Sequence, residues 1–184
     1  MAGYRIHGHA IVSADDRIAD AHGQTPAALR NEADWVRFQA ALDTAAVTVL
    51  GRFGHEIHPN VRGRNRLVLS SLVAGIERRD DAWWWNPAAA PVEAALAAAA
   101  PGGGIVTVPG GRRVFDLFLD IGFDEFHLSR AADVVLPGGT PVFSDVLAGR
   151  SAAEILGRRL AAGPAEAIDP AASVTLTVWS RRLA

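Results

Sequence analysis

The chain has 184 residues, with 18 Lys and Arg against 20 Asp and Glu for a formal charge of -2, which predicts one domain over residues 1–184. Every basic residue is Arg and Cys is absent, which excludes a Lys Schiff base, a Walker A lysine, a Cys nucleophile, thiolate metal sites and disulfides. The dispersed, near-neutral charge argues against nucleic acid, and the lack of an apolar export region or of an 18-residue apolar run predicts no membrane span and a cytoplasmic location.

Residues 4–13 (YRIHGHAIVS) contain a short strand, followed by turn chemistry in ADDRIADAHGQTPAA. From Asn31 to Leu42, Trp35, Phe38 and Leu42 recur at helical spacing behind a capping Asn31, with Glu32 and Asp34 in the first turn. Residues 46–51 and 66–71 are β-rich runs joined by RFGHEIHPNVRGRN, which holds a short helical turn. DAWWWNP predicts a strand whose indoles alternate between faces. PVEAALAAAA predicts a helix opened by Pro91 and stopped by PGGG. IVTV then predicts a buried strand leading through PGG into the amphipathic helix RRVFDLFLDIG, with Val114, Phe115, Phe118 and Leu119 on its apolar side. EFHLSRAADVVLPGG reads as a strand and an irregular stretch, SAAEILGRRLAAG as a helix, and SVTLTVWSRR as an edge or antiparallel strand. The alternation predicts a mixed α/β sheet with no separate second domain. Monomer and homodimer are equally compatible with it.

Gly110 and Gly111 stand between a strand and a helix N-terminus, where glycine amides either cradle a phosphate or simply make a tight βα turn. Gly51, Arg52 and Ser70 end two other strands, so the three strand ends converge on one dinucleotide groove if the sheet is open and parallel; a capping Ser and a solvent Arg are the plainer account. Asp34 precedes Phe38 by one helical turn. Its carboxylate either stabilises the helix dipole or borders a pocket for acid-assisted reduction, in which a nicotinamide cofactor supplies hydride. His7, His9, His22, His55, His58 and His127 form no recognised metal motif despite HEIH at 55–58, so no metal is expected, and no G-x-S-x-G elbow occurs.

Taken in order, AIVSADDRIA, ADWVRF, VTVLGR, RGRNRLVLSS, IVTVPGGRRVFDLFL and DEFHLSRAADVVLPGGTPVF resemble the dihydrofolate reductase superfamily over most of the chain, and also the reductase domain of riboflavin biosynthesis. The resemblance implies a mixed, mainly parallel eight-stranded α/β sheet with flanking helices and NADPH across the strand ends. Asp34 falls on the pterin-anchoring carboxylate, Phe38 on an aromatic beside the substrate ring, Ala10 on a small first-strand residue there, and Ser129 on a hydroxyl that organises the carboxylate. Arg64 coincides with an arginine that recognises a substrate-tail carboxylate. Gly51, Arg52, Ser70, Gly110 and Gly111 map to cofactor contacts.

The implied activity is NADPH-dependent reduction of dihydrofolate to tetrahydrofolate. Alternatives are a dihydromethanopterin reductase, a riboflavin-pathway ribosylaminopyrimidine reductase and a noncatalytic nucleotide-binding regulator. The chain departs from the pattern in lacking the Pro-Trp pair of the active-site loop and in carrying Gly54 where the family has a hydroxyl residue.

Overall fold

The computed structural model describes residues 3–182. The first half of the chain contains β1 (Tyr4–Ser13), β2 (Arg17–Ala19), α1 (Glu32–Thr44), β3 (Val47–Gly51), α2 (Arg52–Ile57), β4 (Arg66–Leu69), β5 (Ile76–Arg79) and β6 (Ala82–Trp85). The second half contains α3 (Val92–Ala99), β7 (Gly104–Gly110), α4 (Arg112–Ile121), β8 (Glu125–Ala131), β9 (Thr140–Pro141), α5 (Ala152–Leu156), β10 (Leu160–Asp169) and β11 (Val174–Arg181). Nine strands form one sheet in the order β10-β11-β8-β1-β7-β3-β4-β6-β5, and β2 pairs with β9 in a separate ribbon. Every pairing from β8 to β6 is parallel, and antiparallel strands close both edges. No described helix is long and apolar enough to cross a membrane.

The mixed, mainly parallel sheet agrees with the sequence pattern, but it has nine strands where eight were expected. The edge strand β5 reads Ile-Glu-Arg-Arg, and without apolar alternation nothing in it announces a strand. The helix expected over SAAEILGRRLAAG is confined to Ala152–Leu156, where Ser151 and Glu154 form a capping box. From Leu160 the chain becomes the edge strand β10, and its register breaks between Ala162 and Ala165, around Pro164. Proline lacks the amide a ladder needs, so an edge bulge is where it fits.

Strand alternation gives the sheet two unlike faces. On one, Ile6 and Val12 of β1 and Phe126 of β8 join Phe115 and Phe118 of α4, Leu96 of α3 and Phe143 in the main apolar core. Gly8 belongs to this layer, where a Cβ would stand 2.3 Å from the Phe126 ring. The three tryptophans of β6 alternate as expected: Trp83 and Trp85 pack against the main core, whereas Trp84 meets the edge of His55 at 5.6 Å on the other side.

The face beneath α1 is polar. The parallel register sets His9 beside His127, Ile11 beside Ser129, and His7 beside Thr107, which in turn pairs with Thr48. α1 covers this layer without burying any residue fully, and Trp35, expected inside, is 53% exposed. The helix therefore acts as the wall of a cleft more than as a lid on a core.

Candidate functional site

The start of α1 is fixed by Asn31. Its side-chain oxygen accepts a hydrogen bond from the Asp34 amide at 3.1 Å, and its Nδ2 donates to Asp169 of β10 at 2.8 Å. This double anchor turns Asp34 toward the sheet. Burial raises the Asp34 pKa above the usual carboxylate value, while the Ser129 hydroxyl and the Arg37 charge pull it back. Ser129 is 1% exposed. One turn along α1, Phe38 lies 6.2 Å from the His9 ring and 5.9 Å from Trp35, measured between ring centroids. Asp34, Ser129 and Phe38 thus border one cleft, floored by His9 and His127, whose rings stack at 4.4 Å. Burial, then the neighbouring imidazoles, lower the His9 pKa to about 3, so its ring is neutral.

The carboxyl ends of β7, β3 and β4 lie side by side. Gly51 caps α2 and Gly111 caps α4, in both cases without a side-chain hydrogen bond to the helix. Gly110 has φ +106°, and a Cβ there would meet the Phe115 ring at 2.7 Å; at Gly111 a Cβ would face open space. Backbone amides at the start of α4 are therefore approachable, and the first two residues of that helix are Arg112 and Arg113. Among the described residues neither arginine has an ion pair or side-chain hydrogen bond. Two cations at the positive end of a helix are unfavourable by themselves and complementary to a bound diphosphate. Ser70 directly follows β4, its Oγ accepting from the Leu72 amide at 3.1 Å, which leaves the hydroxyl proton for a ligand. Amides, arginines and a hydroxyl are donor groups of the kind that bind phosphate.

Gly110→Ala is expected to destabilise the fold by about 1–3 kcal/mol, because the position is both left-handed and filled by Phe115. Gly111→Ala should stay within about 0.5 kcal/mol. Urea unfolding of the two variants checks the contrast.

Three sequence expectations meet a different geometry. Arg64 is already engaged: Nη2 donates to Asp43 at 2.6 Å and to Gln39 at 2.8 Å, and Nε donates to Asp43 at 3.0 Å. The fork expected to hold a substrate carboxylate instead ties the loop before β4 to the end of α1. Arg52 pairs with Glu56 one turn on, at 2.8 Å, instead of standing free beside the groove. Ala10 pairs with Leu128, and alternation places its methyl in the main core layer, opposite Ser129. Its contribution to the cleft is limited to backbone.

Sequence reasoning passed over Arg112 and Arg113, although both follow the Gly-Gly turn directly. It also missed the histidine layer, which searching for helical metal motifs could not reveal. The signal was the period-two His7-Gly8-His9 repeat on a strand, completed by His127 from β8.

A crevice of about 410 Å³ lies elsewhere, between α4 and α5 and lined by Asp116, Phe143 and Arg159 among others. Both Asp116 oxygens are taken by Ser144, through its amide at 2.9 Å and its hydroxyl at 2.6 Å. Asp34 and the Gly110-Gly111 turn at the start of α4 do not line it, so chemistry favours the α1 cleft.

No protein-family model matches the sequence, and no curated protein matches it at the sequence level. Solved structures do match in fold. A protein described as belonging to riboflavin biosynthesis from Shewanella sp. PV-4 superposes with TM-score 0.69 at 20% identity, covering 97% of this chain and 99% of that one. The dihydrofolate reductase of Enterococcus faecalis, complexed with NADP(H), gives 0.64 at 16% identity over 97% of each chain. A pyrimidine reductase-like protein from Corynebacterium diphtheriae gives 0.70 at 13% identity, covering 98% of this chain and 93% of that one. Parallel strand order, α1 cleft and full-length superposition agree: the chain has the dihydrofolate reductase-like fold.

Proposed function

We propose that the protein is an NADPH-dependent reductase of a dihydropterin. The observation that carries this reading is the half-buried Asp34 carboxyl, set by α1 near Ser129 and beside an aromatic wall. A carboxylate in such a place satisfies the paired N–H donors of a 2-amino-pyrimidine ring, which would otherwise be buried without partners. Phe38 supplies an apolar face against the ring. The E. faecalis neighbour was obtained with NADP(H), and the Gly110-Gly111 turn with Arg112 and Arg113 suits the diphosphate of that cofactor here.

When bound, NADPH supplies hydride to the carbon of a ring C=N bond. The nitrogen takes a proton, so the bond becomes CH–NH and the cofactor leaves oxidised. Asp34 orients the ring and favours protonation of that nitrogen through water, and its raised pKa keeps a larger protonated fraction than an exposed Asp has. The nearby Ser129 hydroxyl favours the ionised form of that carboxyl. Arg64, occupied by Asp43, is not needed for a glutamate tail, which favours a substrate recognised by its ring.

The test is NADPH consumption with 6-methyl-dihydropterin, dihydrofolate, dihydromethanopterin and the ribosylaminopyrimidine of the riboflavin pathway. Turnover of dihydropterins is expected, with Arg64→Ala changing KM for dihydrofolate less than about twofold. Reduction of the ribosylaminopyrimidine alone, or no turnover of any of them, would overturn the reading.

A further inference from the structure

We propose that His7, His9 and His127 form a binding site for one divalent transition-metal ion of the zinc and cobalt class. One ligand nitrogen from each of the three lies within 4.8 Å of the others. The arrangement comes from the sheet itself: His7 and His9 share a face of β1, and the parallel register sets His127 of β8 beside His9. Tetrahedral coordination with Zn–N bonds of about 2.0–2.1 Å needs nitrogens about 3.3 Å apart.

A second observation points the same way. The Nε2 atoms of His7 and His9 are buried with no hydrogen-bond partner, and Thr107 and Thr48, next in register, carry buried hydroxyls equally unpartnered. Native interiors leave few polar side-chain atoms unmatched, and this group gathers in one layer under α1. Glu125 supplies the outer support that metal-bound imidazoles usually have. Its Oε2 is 3.3 Å from His127 Nε2 and 4.0 Å from His7 Nδ1, and Arg5 holds its Oε1 at 2.7 Å. With His127 Nε2 donating to Glu125, His127 Nδ1 is left to ligate beside the unpartnered Nε2 atoms of His7 and His9.

Three imidazoles in a chain without thiolates form a borderline donor set that suits Zn²⁺, Co²⁺, Ni²⁺ or Cu²⁺ over the oxygen-seeking Mg²⁺ and Ca²⁺. Phe38 lies 6.2 Å from the His9 ring, so the three imidazoles border the α1 cleft. HEIH at 55–58 is not part of it: His55 is engaged by Arg66 at 3.2 Å, and His58 is exposed.

The experiment uses tag-free protein stripped with a chelator, titrated with Zn²⁺ by calorimetry and with Co²⁺ by visible absorption. One ion per chain is expected. His9→Gln and His127→Gln should weaken binding at least about 100-fold, Glu125→Gln about 10–100-fold, and His58→Gln less than twofold. Near-ultraviolet circular dichroism verifies that each variant is folded. In the unaltered protein, bound Co²⁺ should broaden the ring resonances of His7, His9 and His127 and leave those of His58 sharp, a readout that needs no variant. No binding by the wild type, binding unchanged in folded His9→Gln and His127→Gln, or broadening centred on another histidine overturns the proposal. The titration involves neither NADPH nor substrate, so its failure and failure of the reductase reading are separate outcomes.

Discussion

Asp34→Asn is expected to lower kcat/KM for the dihydropterin by about 10²- to 10⁴-fold while making the folded protein more stable near neutral pH. Both effects arise from one cause. Burial raises the carboxyl pKa in the folded chain above its ordinary value of 3.8, so between those two pKa values the folded state holds more proton than the unfolded state does. Stability carried by the protonated form is complete below the unfolded pKa and is lost as pH rises through the folded one. At neutral pH the fold therefore contains an ionised carboxylate in a place that disfavours charge. Asn removes that charge and keeps the shape, so the melting temperature should rise by roughly 1–3 °C at pH 7 and not at pH 3. A variant equally stable at both pH values, or one that keeps its turnover, contradicts the role of the Asp34 carboxyl.

Ser129→Ala separates the hydroxyl from the carboxylate. The Ser129 hydrogen bond lowers the Asp34 pKa, so its loss moves that pKa further up. If proton supply to the substrate nitrogen follows the protonated carboxyl, the fall in kcat/KM with rising pH should shift to higher pH in the variant. The shift is read from the pH–rate profile, and a profile that stays in place means that another group controls the proton.

The parallel sheet was legible because its strands are short apolar runs bounded by glycine and because α4 has a clear apolar face, which buries Val114, Phe115 and Phe118 as the pattern implies. β5 and β10 were not legible. Both are edge strands, and β10 is exposed along most of its length, so neither needs the apolar alternation on which a sequence pattern depends. Asp34 and Phe38 lie one turn apart on α1, as helical spacing implies, because that relation is local to one helix. Register across strands decides the rest: the pairing of His9 with His127 spans 118 residues of sequence and depends on which two strands become neighbours. Arg64 shows the reverse difficulty. The resemblance gave it a substrate carboxylate as partner, whereas Asp43, 21 residues earlier, becomes visible as its partner only once α1 folds back over the sheet.

Gly8→Ala is expected to cost about 2–4 kcal/mol, because β1 uses the sequence His7-Gly8-His9 to serve two faces at once. The added methyl carbon would lie 2.3 Å and 2.5 Å from two atoms of the Phe126 ring and 2.9 Å from Phe123. Neither ring can simply withdraw: Phe126 is 0% exposed and packs against Phe123, Phe115 and Phe143 at centroid distances of 5.0, 5.3 and 5.5 Å. Replacing glycine in a strand recovers roughly 0.5–1 kcal/mol of backbone entropy, which is smaller than the strain of displacing close-packed rings. The net effect is destabilising, equivalent to a fall in melting temperature of roughly 5–12 °C. Phe126→Leu opens space at the same point and by itself costs about 1–3 kcal/mol as a loss of aromatic packing. If Phe126 is what excludes a side chain at residue 8, the double variant should be at least about 1 kcal/mol more stable than the sum of the single losses implies. Additive losses would instead place the strain in the β1 backbone, and the division of that strand between an aromatic face and a histidine face would need another cause.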